Sequence, residues 1–237
     1  MSEQNKYLFE LQNVSKIYGE SAETKVIALD NINLKIEFGE FTSIVGPSGS
    51  GKSTLLNILS GLDSSSKGLV KLNGKDLSQM RGAELADFRR DHIGLIFQSY
   101  NLIPVLTVKE NVEYVMILKG ASAAERSARV AEVLREVGLE GKENRFPKEL
   151  SGGQQQRVAV ARAIATKPEI ILADEPTANL DSKMGTELVE TMKQLNEKYQ
   201  TTFIFSTHDT IIMDRAKRLV VLKDGKIVED SLRRQLM

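Results

Sequence analysis

The fold of this chain is decided by the stretch Gly46-Pro47-Ser48-Gly49-Ser50-Gly51-Lys52-Ser53-Thr54, referred to below as the phosphate loop. It matches the pattern G-x-x-x-x-G-K-[ST], whose glycines let successive backbone N–H groups point toward the phosphates of a nucleoside triphosphate. The preceding Phe41–Val45 predicts a short buried strand. Helical spacing of the apolar residues that follow predicts a helix: Leu55, Leu56, Ile58, Leu59 and Leu62. A chance Gly/Ser turn is the alternative, and both flanks argue against it.

Composition narrows the class of protein and of partner. The 237 residues suffice for one large domain with a subdomain, and the formal net charge of zero gives no electrostatic footprint for nucleic acid, so no nucleic-acid partner is expected. The chain has no cysteine, which fits a cytosolic protein. Met1–Glu10 has no apolar signal core, and no apolar run approaches the roughly 20 residues that span a bilayer. Any membrane spans are expected to come from another chain.

Alternating apolar strands and helical stretches predict an α/β fold with a largely parallel sheet. The helical run between about 99 and 165 is expected to be an insertion in this core. Two hairpins are predicted, by Asn73-Gly74 and by Asp224-Gly225 between apolar flanks. The remaining predictions are strands at Leu8–Tyr18, Ile32–Val45, Ile93–Phe97, Ile170–Ala173 and Thr202–Ser206, and helices at Thr107–Val137, Ser151–Thr166 and Lys183–Lys198.

Polar residues follow several of these apolar strands. Asp174 and Glu175 end one strand, and ligands of open parallel sheets bind at the carboxyl ends of strands. With the phosphate loop at the same edge, Lys52 is expected to reach the β- and γ-phosphates. Ser53 and Asp174 are expected to bind Mg²⁺, and Glu175 to polarise an attacking water. The alternative is that the two acids merely open a surface turn.

Gln98 and His208 also follow apolar runs, and their significance comes from sharing this sheet edge. A neutral imidazole at His208 could hydrogen-bond the γ-phosphate or the water. The Gln98 side chain could contact Mg²⁺ or the water without adding charge. A single His or Gln at the end of a strand is more often structural or exposed than it is a ligand-binding residue. His92, in a charged segment before its strand, is expected at the surface.

A second anion site is predicted at Leu150-Ser151-Gly152-Gly153-Gln154, where Ser151 is a plausible helix N-cap and two glycines expose N–H groups. The phosphate loop already supplies one anion site. We therefore expect a second copy of the chain to bring Ser151, Gly152, Gly153 and Gln154 to the γ-phosphate, which predicts a homodimer in the nucleotide-bound state.

Together these motifs resemble the nucleotide-binding subunits of ATP-binding cassette transporters over nearly the whole chain, including the loop Ala178–Asp181. The resemblance implies an active ATPase with ATP and Mg²⁺ as cofactors, and an adenine ring stacked on Tyr18. It also implies a single domain over 1–237: a P-loop core with an N-terminal antiparallel β subdomain at about 1–98 and 166–237, and a helical subdomain at about 99–165.

Three segments look like the lipoprotein-releasing and macrolide-export ATPases: Gly19–Val26, Phe88–Gly94 and Gln98–Pro104. This resemblance implies an integral-membrane permease as partner, and a cytoplasmic subunit held peripherally on the inner face of the cytoplasmic membrane. The end of the chain at Met237 favours a separate subunit, and the cargo stays open among lipoprotein, macrolide and peptide. A soluble ABC-type ATPase or a regulatory ATP switch is the alternative function.

The apolar residues after Gln98 are expected to dock a permease helix: Tyr100, Leu102, Ile103, Val105 and Leu106. The alternative is that they pack inside the helical insertion. Docking beside Gln98 would couple the γ-phosphate to the membrane partner.

Overall fold

The computed structural model describes residues 6–19, 21 and 23–233. Met1–Asn5, Glu20, Ala22 and Arg234–Met237 lie outside the described residues, and with them parts of the predictions about the N-terminus, the Gly19–Val26 segment and the chain end. The described residues form two sheets with helices around the larger one.

The smaller sheet is antiparallel and lies in the N-terminal part of the chain. Its strands follow the order β2-β1-β4-β5, and they comprise β1 (Tyr7–Tyr18), β2 (Val26–Glu37), β4 (Lys67–Leu72) and β5 (Lys75–Asp76). Phe9 and Leu11 of β1 are buried in alternation, and after an irregularity at Gln12 and Asn13 the alternation resumes with Val14 and Lys16. This sheet confirms the predicted N-terminal antiparallel β subdomain.

The larger sheet has the order β10-β9-β3-β8-β7-β6. Its strands are β3 (Phe41–Val45), β6 (Ile93–Ile96), β7 (Ile170–Asp174), β8 (Thr202–Thr207), β9 (Arg218–Lys223) and β10 (Lys226–Leu232). All neighbouring strands are parallel except β9 and β10, which form an antiparallel hairpin. The central strands β3, β7 and β8 are buried on both faces, whereas the edge strand β10 is largely exposed.

The helices are α1 (Lys52–Leu59), α2 (Gly82–His92), α3 (Val108–Leu118), α4 (Ala123–Glu136), α5 (Gly152–Ala165), α6 (Ser182–Tyr199) and α7 (Thr210–Arg215). Successive side chains of β8 point to opposite faces of the sheet, so they belong to two separate clusters of the core. Phe203 and Phe205 pack with the insertion helices, whereas Ile204 packs with α1 and the smaller sheet. The predicted α/β fold with a helical insertion is therefore confirmed. The boundaries near 98 and 166 remain a proposal, supported by the end of β6 at Ile96 and of α5 at Ala165.

Several predicted elements differ from the observed ones. The strand predicted at Ile32–Val45 is two strands, because Gly39 adopts a φ of +74° and turns the chain between them. The helix predicted at Thr107–Val137 is likewise two helices, since Ser122 caps a new helix after Gly120. Helix α1 ends at Leu59, so Leu62 lies beyond it and is exposed rather than on its apolar face.

Helix α2 was not predicted, and it changes the surroundings of His92. Its sequence is too polar to show an apolar stripe, with Phe88 as its one buried residue. The prediction that His92 lies at the surface is wrong: the imidazole is half-buried, its ring centroid is 4.2 Å from that of Phe88, and its Nδ1 is 3.1 Å from Oε1 of Glu169. The hydrogen-bond partner, Glu169, comes from a distant part of the chain and leaves no local signal.

Candidate nucleotide-binding site

The phosphate loop connects β3 to α1 at the carboxyl edge of the larger sheet. Two of its glycines are required by close packing against neighbouring backbone. A Cβ on Gly46 would lie 2.1 Å from the carbonyl oxygen of Leu222, and one on Gly51 would lie 2.5 Å from that of Ala28. Gly51 also has a φ of +103°, which an L side chain rarely adopts. A side chain at either position would therefore clash with the backbone that surrounds the loop.

Lys52 and Ser53 open helix α1, and both face the centre of this edge. The Lys52 Nζ donates to the carbonyl oxygens of Gly46, at 2.7 Å, and Pro47, at 3.0 Å, so the ammonium lies within the curve of the loop. The Ser53 Oγ is 3.4 Å from Oδ1 of Asp174 at the end of β7. The structure thus brings together the two residues that were predicted to bind Mg²⁺ from separate motifs.

Both the backbone and the side chain of Glu175 are held in place by neighbouring residues. Its φ of +44° is strained for a residue with a Cβ, and its N–H donates to the Ser206 carbonyl oxygen at 2.9 Å. The Thr207 hydroxyl donates to Glu175 Oε2 at 3.0 Å, and Nδ1 of His208 is 2.7 Å from Oε1. The Glu175 side chain is 16% exposed, whereas His208 is 75% exposed. The carboxylate is therefore fixed by β8 while the imidazole remains open to solvent.

Gln98 follows β6 at the same edge, and its backbone is tied to the loop after Glu175. The Asn179 Nδ2 donates to the Gln98 carbonyl oxygen at 3.0 Å. The Ala178–Asp181 loop thus contacts the Gln98 loop within one chain. Asp181 ends that loop as the N-cap of α6, since its Oδ1 accepts from the Met184 N–H at 2.9 Å.

Tyr18 lies at the end of β1, next to two residues that sequence reasoning missed. Its hydroxyl donates to Oδ2 of Asp63 at 2.8 Å, and the Lys16 Nζ is 4.8 Å from the centroid of its ring. Burial is the main cause that raises the pKa of the Tyr18 hydroxyl above its ordinary value, followed by the bond to Asp63. Lys16 could have been found because residues i and i+2 share one strand face, whereas Asp63 comes from the turn after α1.

Ser151 to Gln154 form the N-terminus of helix α5, as predicted. The Ser151 Oγ accepts from the Gln154 N–H at 3.3 Å, and Gln154 Oε1 accepts from the Ser151 N–H at 3.2 Å, which completes a capping box. No hydrogen bond within the described residues joins this helix end to the phosphate loop of the same chain.

Comparison with known proteins identifies the family. The family model described as "ABC transporter" matches residues 29–178, which include the phosphate loop, Gln98, Ser151 and Glu175. The chain belongs to the ABC transporter family. This ATP-binding cassette has no helix, within residues 6–19, 21 and 23–233, that is long and apolar enough to cross a bilayer.

The cassette is 52% identical, over 222 residues, to the uncharacterized ABC transporter ATP-binding protein MJ1508 of Methanocaldococcus jannaschii, covering 94% of this chain and 98% of that protein. It is 46% identical, over 224 residues, to the macrolide export ATP-binding/permease protein MacB of Mannheimia succiniciproducens. That match covers 94% of this chain but 34% of MacB, so the cassette spans about a third of that relative.

A solved structure with the same fold is the cassette MJ0796 of M. jannaschii, described as dimeric and as a post-hydrolysis state bound to ADP and Pi. The TM-score is 0.88 at 45% identity, and the match covers 96% of this chain and 100% of that one. The likeness supports the predicted fold class over almost the whole length.

Proposed function

We propose that this chain is the ATP-hydrolysing subunit of a transporter, and that two copies enclose ATP between the phosphate loop of one and Ser151–Gln154 of the other. The observation that carries the proposal is the Glu175 carboxylate, fixed by Thr207 and His208 at the same sheet edge as the phosphate loop. The dimeric MJ0796 structure bound to ADP and Pi supports a dimer that binds nucleotide.

Each side chain of the site has a role that its chemistry supports. Loop N–H groups and Lys52 bind the phosphates, and Ser151 with the N-terminus of α5 adds hydrogen-bond donors from the partner copy. Tyr18 stacks on the adenine. Glu175 accepts a proton from the water that attacks the γ-phosphorus, while the bond to the β–γ bridging oxygen breaks and yields ADP and phosphate. His208 orients the Glu175 carboxylate and hydrogen-bonds the γ-phosphate.

The residues at this edge also fit Mg²⁺. Ser53 and Asp174 offer a hydroxyl and a carboxylate oxygen 3.4 Å apart, and Gln98, which follows β6 at the same edge of the sheet, would add an amide oxygen. Mg²⁺, when bound, neutralises charge on the phosphate oxygens. Within the described residues no group of three or more His, Cys, Asp and Glu could hold a metal, so most ligands of such an ion would come from the nucleotide and water.

Replacing Glu175 by Gln tests the hydrolytic role, because it keeps the shape of the side chain but removes the proton acceptor. Hydrolysis should fall about 100-fold or more, and an ATP-bound dimer should accumulate in gel filtration. Glu169→Gln is the matched control, since Glu169 precedes the same strand at its other end, beside His92. Near-normal turnover of Glu175→Gln would remove the assignment.

The partner of this subunit is proposed to be an integral-membrane permease, which would hold the chain at the inner face of the cytoplasmic membrane. An apolar groove of about 630 Å³ lies beside the Gln98 loop, between α2, α3 and α5, and fits a helix of that partner. Its lining includes Leu95, Phe97, Ile103, Tyr114 and Leu118. Similarity to the macrolide export protein MacB favours export of a macrolide over the lipoprotein and peptide cargoes that the sequence resemblance also implies.

The groove revises the docking residues expected from sequence. Ile103 lines it, whereas Leu102 packs against the core of the insertion helices. Tyr100 turns toward Gly152 on helix α5, and Val105 is exposed on the loop. The packing of Leu102 supports the alternative that part of this segment lies inside the helical insertion, and the proposed docking surface extends onto helix α3.

A further inference from the structure

Arg162 joins helix α5 to the loop that follows Gln98. Its Nη1 donates to the Asn101 carbonyl oxygen at 2.6 Å, and its Nη2 donates to the Tyr100 carbonyl oxygen at 2.9 Å. The planar guanidinium can serve two neighbouring acceptors at once, which the single ammonium of a lysine cannot do with the same geometry. One residue of α5 therefore fixes the direction of two consecutive peptide groups.

Those two peptide groups belong to strained backbone. Tyr100 has a φ of +59° and Asn101 a φ of +48°, so two successive residues with a Cβ adopt the left-handed conformation. Such residues persist only where the surrounding structure holds them. The two Arg162 hydrogen bonds provide that restraint at the point where the chain leaves Gln98.

The side chain of Tyr100 makes a second connection to the same helix. A Cβ built on Gly152 would lie 2.9 Å from the Tyr100 hydroxyl oxygen, so this hydroxyl packs directly against the N-terminal turn of α5. Gly152 follows the cap residue Ser151. The Gln98 loop thus touches α5 at its first turn through Tyr100 and near its last turn through Arg162.

Burying the charged guanidinium of Arg162 costs free energy, and a purely structural hydrogen bond would not need a charged donor. Burial lowers the pKa of its guanidinium, and no other cause contributes. Within the described residues, its hydrogen-bond partners are carbonyl oxygens rather than a carboxylate. Hydrogen bonds from a charged donor are stronger than neutral ones, so the bonds to this loop compensate part of the cost of burial.

We propose that Arg162 is a positioning residue that makes the Gln98 loop and helix α5 move as one unit. This inference rests on the proposed dimer, in which Gln98 serves the ATP on its own phosphate loop and Ser151 serves the ATP on the partner's loop. Arg162 then transmits a change at one ATP site to the other within a single chain.

Mixed dimers with one working site test the proposal. Lys52→Ala in copy X and Ser151→Arg in copy Y damage the same composite site, so only the site made by the Y phosphate loop and the X helix α5 remains. Arg162→Lys is then placed in X or in Y. When copy Y carries Arg162→Lys, the substitution affects the working site through the Gln98 loop of Y. When copy X carries it, the substitution affects the same site through Ser151 of X. Hydrolysis per working site should fall about tenfold in either placement.

Arg157→Lys is the matched control, because Arg157 lies on the same helix and also donates to a carbonyl oxygen, that of Val137, but faces α4 and α6. It should lower hydrolysis less than twofold in both placements. Thermal unfolding of each variant chain checks the fold. If Arg162→Lys does not fold, Tyr100→Phe replaces it, since this change removes the hydroxyl that packs against Gly152.

If Arg162→Lys lowered hydrolysis in only one of the two copies, Arg162 would merely support the Gln98 loop or helix α5. That result would overturn the proposed coupling between the two ATP sites. So would an effect equal to that of Arg157→Lys, or none at all. Failure of the proposed function would look different from failure of the coupling. In that case even the mixed dimer with Arg162 intact would show no nucleotide-dependent association and no residual hydrolysis.

Discussion

At the scale of single residues, Tyr18 is held in place before any nucleotide binds. Its hydroxyl is bonded to Asp63, and the Lys16 ammonium lies near one face of its ring. In the proposed complex the adenine would stack on the other face of the ring. A base-binding residue that is already oriented loses less conformational freedom on binding, which strengthens the contact.

Tyr18→Ala should raise the Michaelis constant for ATP about 5- to 150-fold, because stacking on a base contributes about 1–3 kcal/mol. The turnover number should change little, since the contact is the same in ground and transition states. Steady-state kinetics measure both. Tyr7→Ala is the control, because Tyr7 begins the same strand and also has a lysine, Lys35, over its ring. Equal Michaelis constants for the two variants would exclude Tyr18 from the site.

At the scale of elements, one charged network connects helices α4, α5 and α6. The buried Arg129 donates to the carbonyl oxygens of Ile164 and Ala165 at the end of α5, and to Glu132 on its own helix. It also donates to the hydroxyl of Tyr199, the last residue of α6. These bonds satisfy backbone acceptors that a helix C-terminus leaves open.

Glu132 makes this network sensitive to acid. The hydrogen bond from Arg129, with smaller effects of Tyr199 and Lys198, lowers the pKa of Glu132 from 4.5 to about 2. A lowered pKa stabilises the folded chain above pH 4.5, and that contribution disappears as the pH falls toward 2. Because the side chain is 42% exposed, the effect should be modest.

We therefore expect Glu132→Gln to unfold at a lower temperature than the parent chain at pH 6, and the difference to shrink steadily below pH 4.5. Thermal unfolding followed by circular dichroism across this range measures it. Glu140→Gln is the control, since Glu140 forms a loose, exposed ion pair with Arg135 at 3.7 Å. A difference that stays constant with pH would show that the carboxylate charge is not responsible.

At the scale of the whole molecule, the groove beside the Gln98 loop is where the proposed membrane partner would contact the cassette. Leu118 lines this groove and is 52% exposed. Its neighbour Ile117 is 46% exposed and is not part of the lining. Adjacent residues of a helix point in different directions, so this pair separates the effect of the groove from that of surface polarity.

Leu118→Glu should weaken binding to membrane vesicles that contain the permease about 10- to 100-fold, because docking would bury an unpaired charge. Ile117→Glu should bind like the parent chain. A sedimentation assay measures binding, and hydrolysis by each isolated chain checks that its nucleotide site is intact. Equal binding by both variants would place the permease elsewhere, or would favour a cassette that acts without one.

The fold class and the family of this protein could be predicted from its sequence alone. The phosphate loop, the capping box at Ser151 and the buried strand before Asp174 depend on local backbone geometry and apolar periodicity, and both are written in consecutive residues. The predicted family and fold class are confirmed. The roles of individual site residues remain predictions.

The side chains that support the candidate site could not be predicted from the sequence, because the residues they contact lie far away along the chain. The Asp63 carboxylate reaches Tyr18 across 45 positions, the Thr207 hydroxyl reaches Glu175 across 32, and Arg162 reaches Tyr100 across 62. Such pairs depend on the order of strands in the sheet and on how helices pack over it, and neither leaves a periodic signal in the sequence. The splitting of predicted elements at Gly39 and Gly120 has the same origin, since glycines are permissive of a turn but do not by themselves impose one.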